Sequence, residues 1–191
     1  MRIIGGVHRG RALVAPDGGA TRPTSERVRE ALFNILSHGI PHARETALPQ
    51  GARVLDLFAG SGALGLEALS RGALRVLFVD NAPAARAAIR ENIETLQAAG
   101  AAKLYRRDAG NLGPMESNCG GPFDLAFLDP PYHSGLIHPA LEGLREGGWL
   151  NPQAVLVIEL ASNELLPEHP GYTELDRRVY GDTMLVFLKR D

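Results

Sequence analysis

From Arg53 onward the chain alternates short apolar runs with helix-patterned segments, and few folds accommodate that order. Val54-Leu55-Asp56-Leu57-Phe58, Val76-Leu77-Phe78-Val79, Lys103 to Arg107, Phe123 to Leu128 and Val155 to Ile158 read as strands. Leu64 to Ser70 reads as a helix closed by Gly72; Ala85, Ile89, Ile93 and Leu96 mark the buried face of another over residues 83 to 98, ended by Gly100. Strands separated by helices predict a parallel sheet covered on both faces, since a parallel neighbour needs a crossover connection. The tail departs from this rule. Residues 172 to 180 and 183 to 189 are strands joined at Gly181-Asp182, with no room for a helix, and predict an antiparallel hairpin.

The first 51 residues follow a different pattern. Ile3-Ile4 and Ala12-Leu13-Val14 are split by Gly5-Gly6 and Arg9-Gly10-Arg11, which suggests a small hairpin or extended arm. Thr24 or Ser25 is a suitable N-cap, and Val28, Leu32, Ile35 and Leu36 recur at helical spacing, so a helix is expected over residues 25 to 37. The expected division is an N-terminal hairpin and helix over 1–39, a linker over 40–51, and the alternating domain over 52–191. Met1 to Gly6 is too quickly interrupted for a signal peptide, and no apolar run approaches the ~20 residues of a membrane span. Cys119, the single cysteine, forms no internal disulfide; it reads as a bystander in a loop, and a reducing cytoplasm is the expected setting. A net charge of −2 excludes a uniformly basic nucleic-acid binder. Yet Arg2, Arg9, Arg11, Arg22, Arg27 and Arg29 face only Asp17 and Glu26 within the first 29 residues. Such a patch suits phosphates, or is simply a solvated face.

Chemistry concentrates at the strand ends. Asp56-Leu57-Phe58-Ala59-Gly60-Ser61-Gly62 lies where the first strand turns into the first helix of the alternating region, and glycines there allow close approach to a ligand. Gly60, Gly62 and Gly65 satisfy G-x-G-x-x-G, and Asp80 follows Gly60 by 20 residues, which alone would pass as a dinucleotide fingerprint. Asp56 argues otherwise: a carboxylate there repels a pyrophosphate but suits the ammonium of a methionine moiety. Asp80 can accept from ribose hydroxyls, and Asp108 from an adenine amino group. The expected cofactor is S-adenosylmethionine, held by Asp56, Phe58, Ala59, Gly60, Ser61, Gly62, Asp80, Asn81, Asp108 and Ala109.

Asp129-Pro130-Pro131-Tyr132 comes directly after the fourth strand. The exocyclic amine of a base is a poor nucleophile because its lone pair is delocalised into the ring. Accepting both N–H groups, through the Asp129 side chain and the Pro130 carbonyl, aims that lone pair and stabilises the charge developing on nitrogen. Pro130 and Pro131 stiffen the acceptor geometry, and Tyr132 offers a face for stacking an extruded base. Gly39 and Pro41 exclude a helix between His38 and His42, so a metal pair is not expected; His133 could touch substrate, and Trp149 reads as a packing residue.

These motifs resemble the amino-methyltransferase branch of the class I methyltransferases. Ile3-Ile4-Gly5-Gly6 with Arg9-Gly10-Arg11, the run Arg22-Pro23-Thr24-Ser25-Glu26-Arg27-Val28-Arg29-Glu30-Ala31-Leu32-Phe33-Asn34, and Tyr180-Gly181-Asp182-Thr183 resemble the RsmD family, bacterial enzymes that methylate guanine N2 in 16S ribosomal RNA. The resemblance implies a Rossmann-like domain with a seven-stranded, mostly parallel sheet ending in an antiparallel hairpin, and an N-terminal hairpin and helix that help bind RNA. It also implies that Arg22, Pro23 and Thr24 lie near the cofactor. Arg2, His8, Arg9, Arg11 and Arg27 are the expected RNA contacts. The partner would be 16S ribosomal RNA within a 30S subunit or assembly intermediate, with no membrane and no metal. Two departures stand out: Tyr132 where members often carry Phe, and residues 40 to 51, longer than typical. A DNA adenine-N6 methyltransferase shares the Asp-Pro-Pro-Tyr chemistry but usually needs a target-recognition region for which 191 residues leave little space. An NAD-dependent oxidoreductase leaves Asp129 to Tyr132 unexplained, and an idle RNA-binding module leaves the acids at each strand end unexplained.

Overall fold

The apolar runs assemble as one seven-stranded sheet in a computed structural model, which describes residues 1–16, 25–40 and 47–191. The strands are β1 (Arg53–Leu57), β2 (Arg75–Val79), β3 (Ala102–Tyr105), β4 (Phe123–Leu128), β5 (Leu150–Ala161), β6 (Tyr172–Tyr180) and β7 (Thr183–Arg190), in the order β3-β2-β1-β4-β5-β7-β6. Strands β1 to β5 are parallel to one another, and β7 runs antiparallel to both β5 and β6. The sequence thus locates both the parallel body and the closing hairpin. The expected fifth strand is longer than its apolar stretch. It begins at Leu150 and passes a bulge where Gln153 has a φ of 64°, which Asn151-Pro152 disguises as a turn.

Among the described residues four α-helices cover the sheet: α1 (Glu26–His38), α2 (Ala63–Ser70), α3 (Pro83–Thr95) and α4 (Ile137–Glu146). Ser25 caps α1, its Oγ accepting from the Val28 N–H. Helices α1, α2 and α3 pack on one face with Ile3 and Leu13 of the N-terminal arm; α4 packs on the other, where Trp149 is fully buried and stacks on Phe123. Cys119 is buried on the α4 face, in a single 3-10 turn. Helix α4 has no counterpart in the sequence reading, which passes from the fourth strand directly to the fifth. No helix among the described residues is long and apolar enough to cross a membrane.

The arm is a narrow hairpin: the Ile3 N–H donates to Arg11 O, the Gly10 N–H to Ile3 O, and the Leu13 N–H to Met1 O. It lies along α2. At one end the Val7 N–H donates to Ser70 O at 2.8 Å and the His8 N–H to Ser70 Oγ at 3.0 Å. Gly6 approaches the Ser70 carbonyl so closely that a Cβ would sit 1.7 Å from it. At the middle, the buried Glu67 carboxylate accepts from the Ile4 and Gly5 N–H groups, both at 2.8 Å, and pairs with Arg71 at 2.7 Å and Arg29 at 3.8 Å.

Candidate active site

Sheet order reverses at β1: β2 and β3 lie to one side, β4 to the other. Open α/β sheets bind ligands at such a switch, beyond the carboxyl ends of the strands. Leu57, the last residue of β1, pairs with Leu128, the last of β4. The glycine turn and the Asp129 motif therefore leave the sheet side by side.

The turn after β1 alternates left-handed backbone: φ is 57° at Phe58, 56° at Gly60 and 77° at Gly62. Phe58 bears this conformation without being glycine, a local cost of order 1 kcal/mol or more that packing must hold in place. The Ala59 N–H donates to Val79 O at 3.2 Å, the Gly62 N–H to Ala59 O at 2.6 Å, and the Gly60 N–H to Asp80 Oδ2 at 2.9 Å. Asp80 accepts a second bond from the Ala82 N–H at 2.8 Å. Gly60 opens outward; nothing but Phe58 O, at 3.9 Å, lies within 4 Å of a Cβ built there.

The Asp56 carboxyl sits behind this turn rather than on its open side. It is 1% exposed, and its Oδ2 accepts from the Gly65 N–H at 2.9 Å. Gly65 is required there, since a Cβ would lie 2.4 Å from Phe78 and 2.9 Å from that same carboxylate. Burial pushes Asp56 up to about 8, and the nearby charge of Asp80 adds to the shift against the Gly65 hydrogen bond. Asp108, beyond β3, is exposed, with Oδ1 accepting from the Gly110 N–H at 2.8 Å; Ala109 beside it is buried. Asn81 is exposed and gives its carbonyl to Arg86. Asp80, Asp108 and Asp129 follow the carboxyl ends of β2, β3 and β4, beside the glycine turn after β1; this acidic edge suits a cationic ligand carrying hydroxyl and amino donors and does not suit a pyrophosphate.

In the second motif Pro130 is buried, Pro131 exposed, and Asp129 half-buried. The Tyr132 hydroxyl reaches Glu159 Oε1 on β5 and Thr183 Oγ1 on β7, each at 3.1 Å. Burial, with Glu159 and Asp129 nearby, pushes its hydroxyl up to about 12, so it stays protonated and bonded. The ring is thus fixed at its far end. His133 comes next with a φ of 58°, its N–H donating to Glu164 Oε2 at 3.1 Å. The β6–β7 turn backs this wall, the Asp182 carbonyl accepting from the Ser162 N–H at 2.9 Å. Sequence reasoning missed Glu159, Glu164 and any function for Thr183. For Thr183 a signal existed, because Tyr180 to Thr183 is part of the family-like pattern.

The expected RNA contacts fall elsewhere. Arg9 is exposed at the arm's tip, next to the residues bonded to Ser70 and so at the opposite end of α2 from the glycine turn, about 12 Å away along eight residues of helix; Arg11 is exposed on the return limb, its carbonyl accepting from the Ile3 N–H. His8 is half-buried there, and Arg27 is exposed on α1. Arg2 is exposed but paired with Glu26 at 3.0 Å. Arg29 does not belong to the basic patch at all: it is fully buried, gives Nη2 to the Arg2 carbonyl, and burial lowers its pKa. Arg22, Pro23, Thr24 and His42 lie outside the described residues. Among the described residues, no cluster of three His, Cys, Asp or Glu side chains is placed to hold a metal.

The family model described as conserved hypothetical protein 95 matches residues 1–189. Ribosomal RNA small subunit methyltransferase D of Escherichia coli (strain K12) is 38% identical over 177 residues, 93% of this chain and 83% of that protein. The chain belongs to the RsmD family. The protein of the same name from Haemophilus influenzae is 34% identical over 182 residues, covering 95% of this chain and 89% of its own. Among solved structures, that of yhhF from Escherichia coli, whose name carries the word methyltransferase, superposes with a TM-score of 0.81 at 35% identity. It covers 100% of this chain and 98% of its own. A hypothetical protein from Thermus thermophilus superposes with a TM-score of 0.72 at 31% identity, covering 98% of each chain. The fold is therefore the Rossmann-like methyltransferase fold expected from the strand pattern.

Proposed function

We propose that this RsmD-family protein transfers a methyl group from S-adenosylmethionine to a base of small-subunit ribosomal RNA, the exocyclic N2 of a guanine in 16S RNA. The observation carrying this reading is the adjacency of the glycine turn and Asp129-Pro130-Pro131-Tyr132 at the β1/β4 switch, with the Tyr132 ring pinned by Glu159 and Thr183. Relatives named as small-subunit ribosomal RNA methyltransferases support the substrate class.

Asp80 and Asp108 would take the hydroxyl and amino donors of the cofactor, and the open backbone at Gly60 its close approach. Arg22, Pro23 and Thr24 are proposed to complete that side. When bound, the cofactor supplies a methyl group on a sulfonium. The protein's part is to hold the acceptor: the Asp129 carboxylate and Pro130 carbonyl take the two amino N–H groups, and Tyr132 stacks the extruded base. Asp129 also compensates positive charge growing on nitrogen, and the departing proton has a carboxylate beside it. A fixed ring loses less freedom on stacking than a mobile one. Arg2, His8, Arg9, Arg11 and Arg27 would bind the RNA backbone along α1 and α2, outside the catalytic end, with a 30S subunit or assembly intermediate presenting the folded substrate.

The test is methyl transfer from labelled S-adenosylmethionine to unmodified 30S subunits, naked 16S RNA and DNA in parallel, followed by nucleoside analysis. N2-methylguanosine in the ribosomal samples is the expected product. N6-methyladenine in DNA, or no transfer despite cofactor binding, would remove the substrate assignment.

A further inference from the structure

Asn92 sits on the apolar stripe of α3 beside Ile89 and Ile93, is 1% exposed, and belongs to neither motif. Its Oδ1 accepts from the Val14 N–H at 2.8 Å, and its Nδ2 donates to Val14 O at 3.0 Å and Ser61 O at 2.9 Å. Both N–H groups of the amide are thereby used, which is what a buried amide requires. One side chain ties the base of the N-terminal arm to the middle of the glycine turn. Met1 adds a second contact from the arm, its Sδ accepting from Ser61 Oγ at 3.5 Å.

The bond to Ser61 O matters because the next residue, Gly62, is left-handed. A glycine there can reach backbone orientations that a side chain would resist. Turning the Ser61–Gly62 peptide over would point the Ser61 carbonyl away from Asn92, break the Gly62 N–H bond to Ala59 O and reshape the loop between Gly60 and α2. Asn92 holds this peptide from its carbonyl side and Ala59 from its N–H side, and the Asn92 bond is the one that runs on to the arm. The arm in turn is held on the C-terminal half of α2 through Glu67 and Ser70, with Arg9 exposed at its far tip and Arg11 exposed on its return limb.

We infer that Asn92 is a positioning residue through which the N-terminal arm holds the glycine turn in its cofactor-accepting shape, so that RNA engaged by the arm tightens cofactor binding. This rests on the reading of S-adenosylmethionine at that turn. Linkage makes the effect reciprocal: cofactor tightens RNA binding by the same factor.

The experiment measures cofactor affinity by calorimetry on the full chain, with and without 16S RNA, for wild type, Asn92→Ala, Asn92→Asp and Val14→Pro. Circular dichroism establishes that each is folded. Wild type is expected to bind S-adenosylmethionine about fivefold more tightly with RNA present. Asn92→Asp keeps the acceptor for Val14 but loses both donors, and like Asn92→Ala should weaken cofactor binding about two- to tenfold, as loss of one hydrogen bond does. In both, the RNA effect disappears, KM for cofactor rises, and kcat at saturation is retained. Val14→Pro removes one of the two arm-side bonds and keeps the Ser61 bond, so cofactor affinity without RNA should fall less than in the Asn92 variants while the RNA effect falls. Folded Asn92 variants with wild-type affinity and wild-type RNA coupling would overturn the inference. Wild-type protein that binds no S-adenosylmethionine would instead remove the reading of the turn, and this inference with it.

Discussion

Asp56→Asn isolates the energetic consequence of burying a carboxyl under the glycine turn. The amide keeps an acceptor for the Gly65 N–H and the same shape, and removes only the charge. In the folded protein Asp56 is raised from 3.8 to about 8, mainly by burial, so folding favours its protonated form. Its contribution to stability is complete below pH 3.8 and is lost progressively as the pH climbs to about 8, above which the loss levels off. Each pH unit in that window is worth about 1.36 kcal/mol, so at pH 7 the loss is at most about 4 kcal/mol, and between pH 5 and pH 9 it grows by about 4 kcal/mol. The Asp56→Asn variant carries no such loss. Urea unfolding at pH 5, 7 and 9, followed by the fluorescence of the buried Trp149, gives the stability difference between the two proteins, in which all other titrating groups cancel. The variant should gain on wild type steadily as pH rises. Adding S-adenosylmethionine should flatten the wild-type profile, because a cation over the turn favours ionised Asp56. Parallel pH profiles for the two proteins, or a variant that loses ground at pH 9, would refute the reasoning.

Asp129→Ala should abolish methyl transfer and leave cofactor affinity within about twofold; a variant turning over at wild-type rate would sink the acceptor role. Tyr132→Phe loses the hydroxyl bonds to Glu159 and Thr183, and should cost about 1 kcal/mol in urea unfolding, lowering kcat without raising cofactor Kd. Glu67→Ala strands Arg29 in the core and frees the arm, so unfolding experiments should show a loss of about 3–5 kcal/mol. Replacing Arg9 and Arg11 together should reduce the slope of log affinity for RNA against log salt by about 1.4 to 1.8, and an unchanged slope would exclude the arm as a phosphate contact.

The sheet was legible because parallel strands are buried on both faces and so read as continuous apolar runs. The closing hairpin was legible for a topological reason: two residues cannot carry a crossover. What escaped were features whose signal is mixed. Helix α4 begins at Ile137 with Pro139 close behind, and its stripe of Ile137, Ala140, Leu141 and Leu144 is short enough to pass for loop. The start of β5 is masked by Asn151-Pro152-Gln153, turn residues that here form a bulge.

The site divides in the same physical way. Groups placed at strand ends announce their position, because a short loop between a strand and a helix places its own residues: locating Gly60, Asp80, Asp108 and Asp129 needed only their distance from an apolar run. Groups that act by contact across the fold do not. Glu67 bonds to residues 62 and 63 positions away, Asn92 to one 78 away, and Thr183 to one 51 away. Each still leaves a trace, since a lone polar residue inside an apolar stripe must be buried with partners or break the stripe; Glu67 in Ala-Leu-Gly-Leu-Glu-Ala-Leu-Ser is such a case. Charge counting fails where this reasoning succeeds. Arg29 adds to the basic patch in any tally, yet it lies on the same helical face as Leu32, Phe33 and Leu36 and is buried against Glu67. Position within the periodic pattern, rather than the sign of the residue, separates the arginines that can meet a phosphate from the one that cannot.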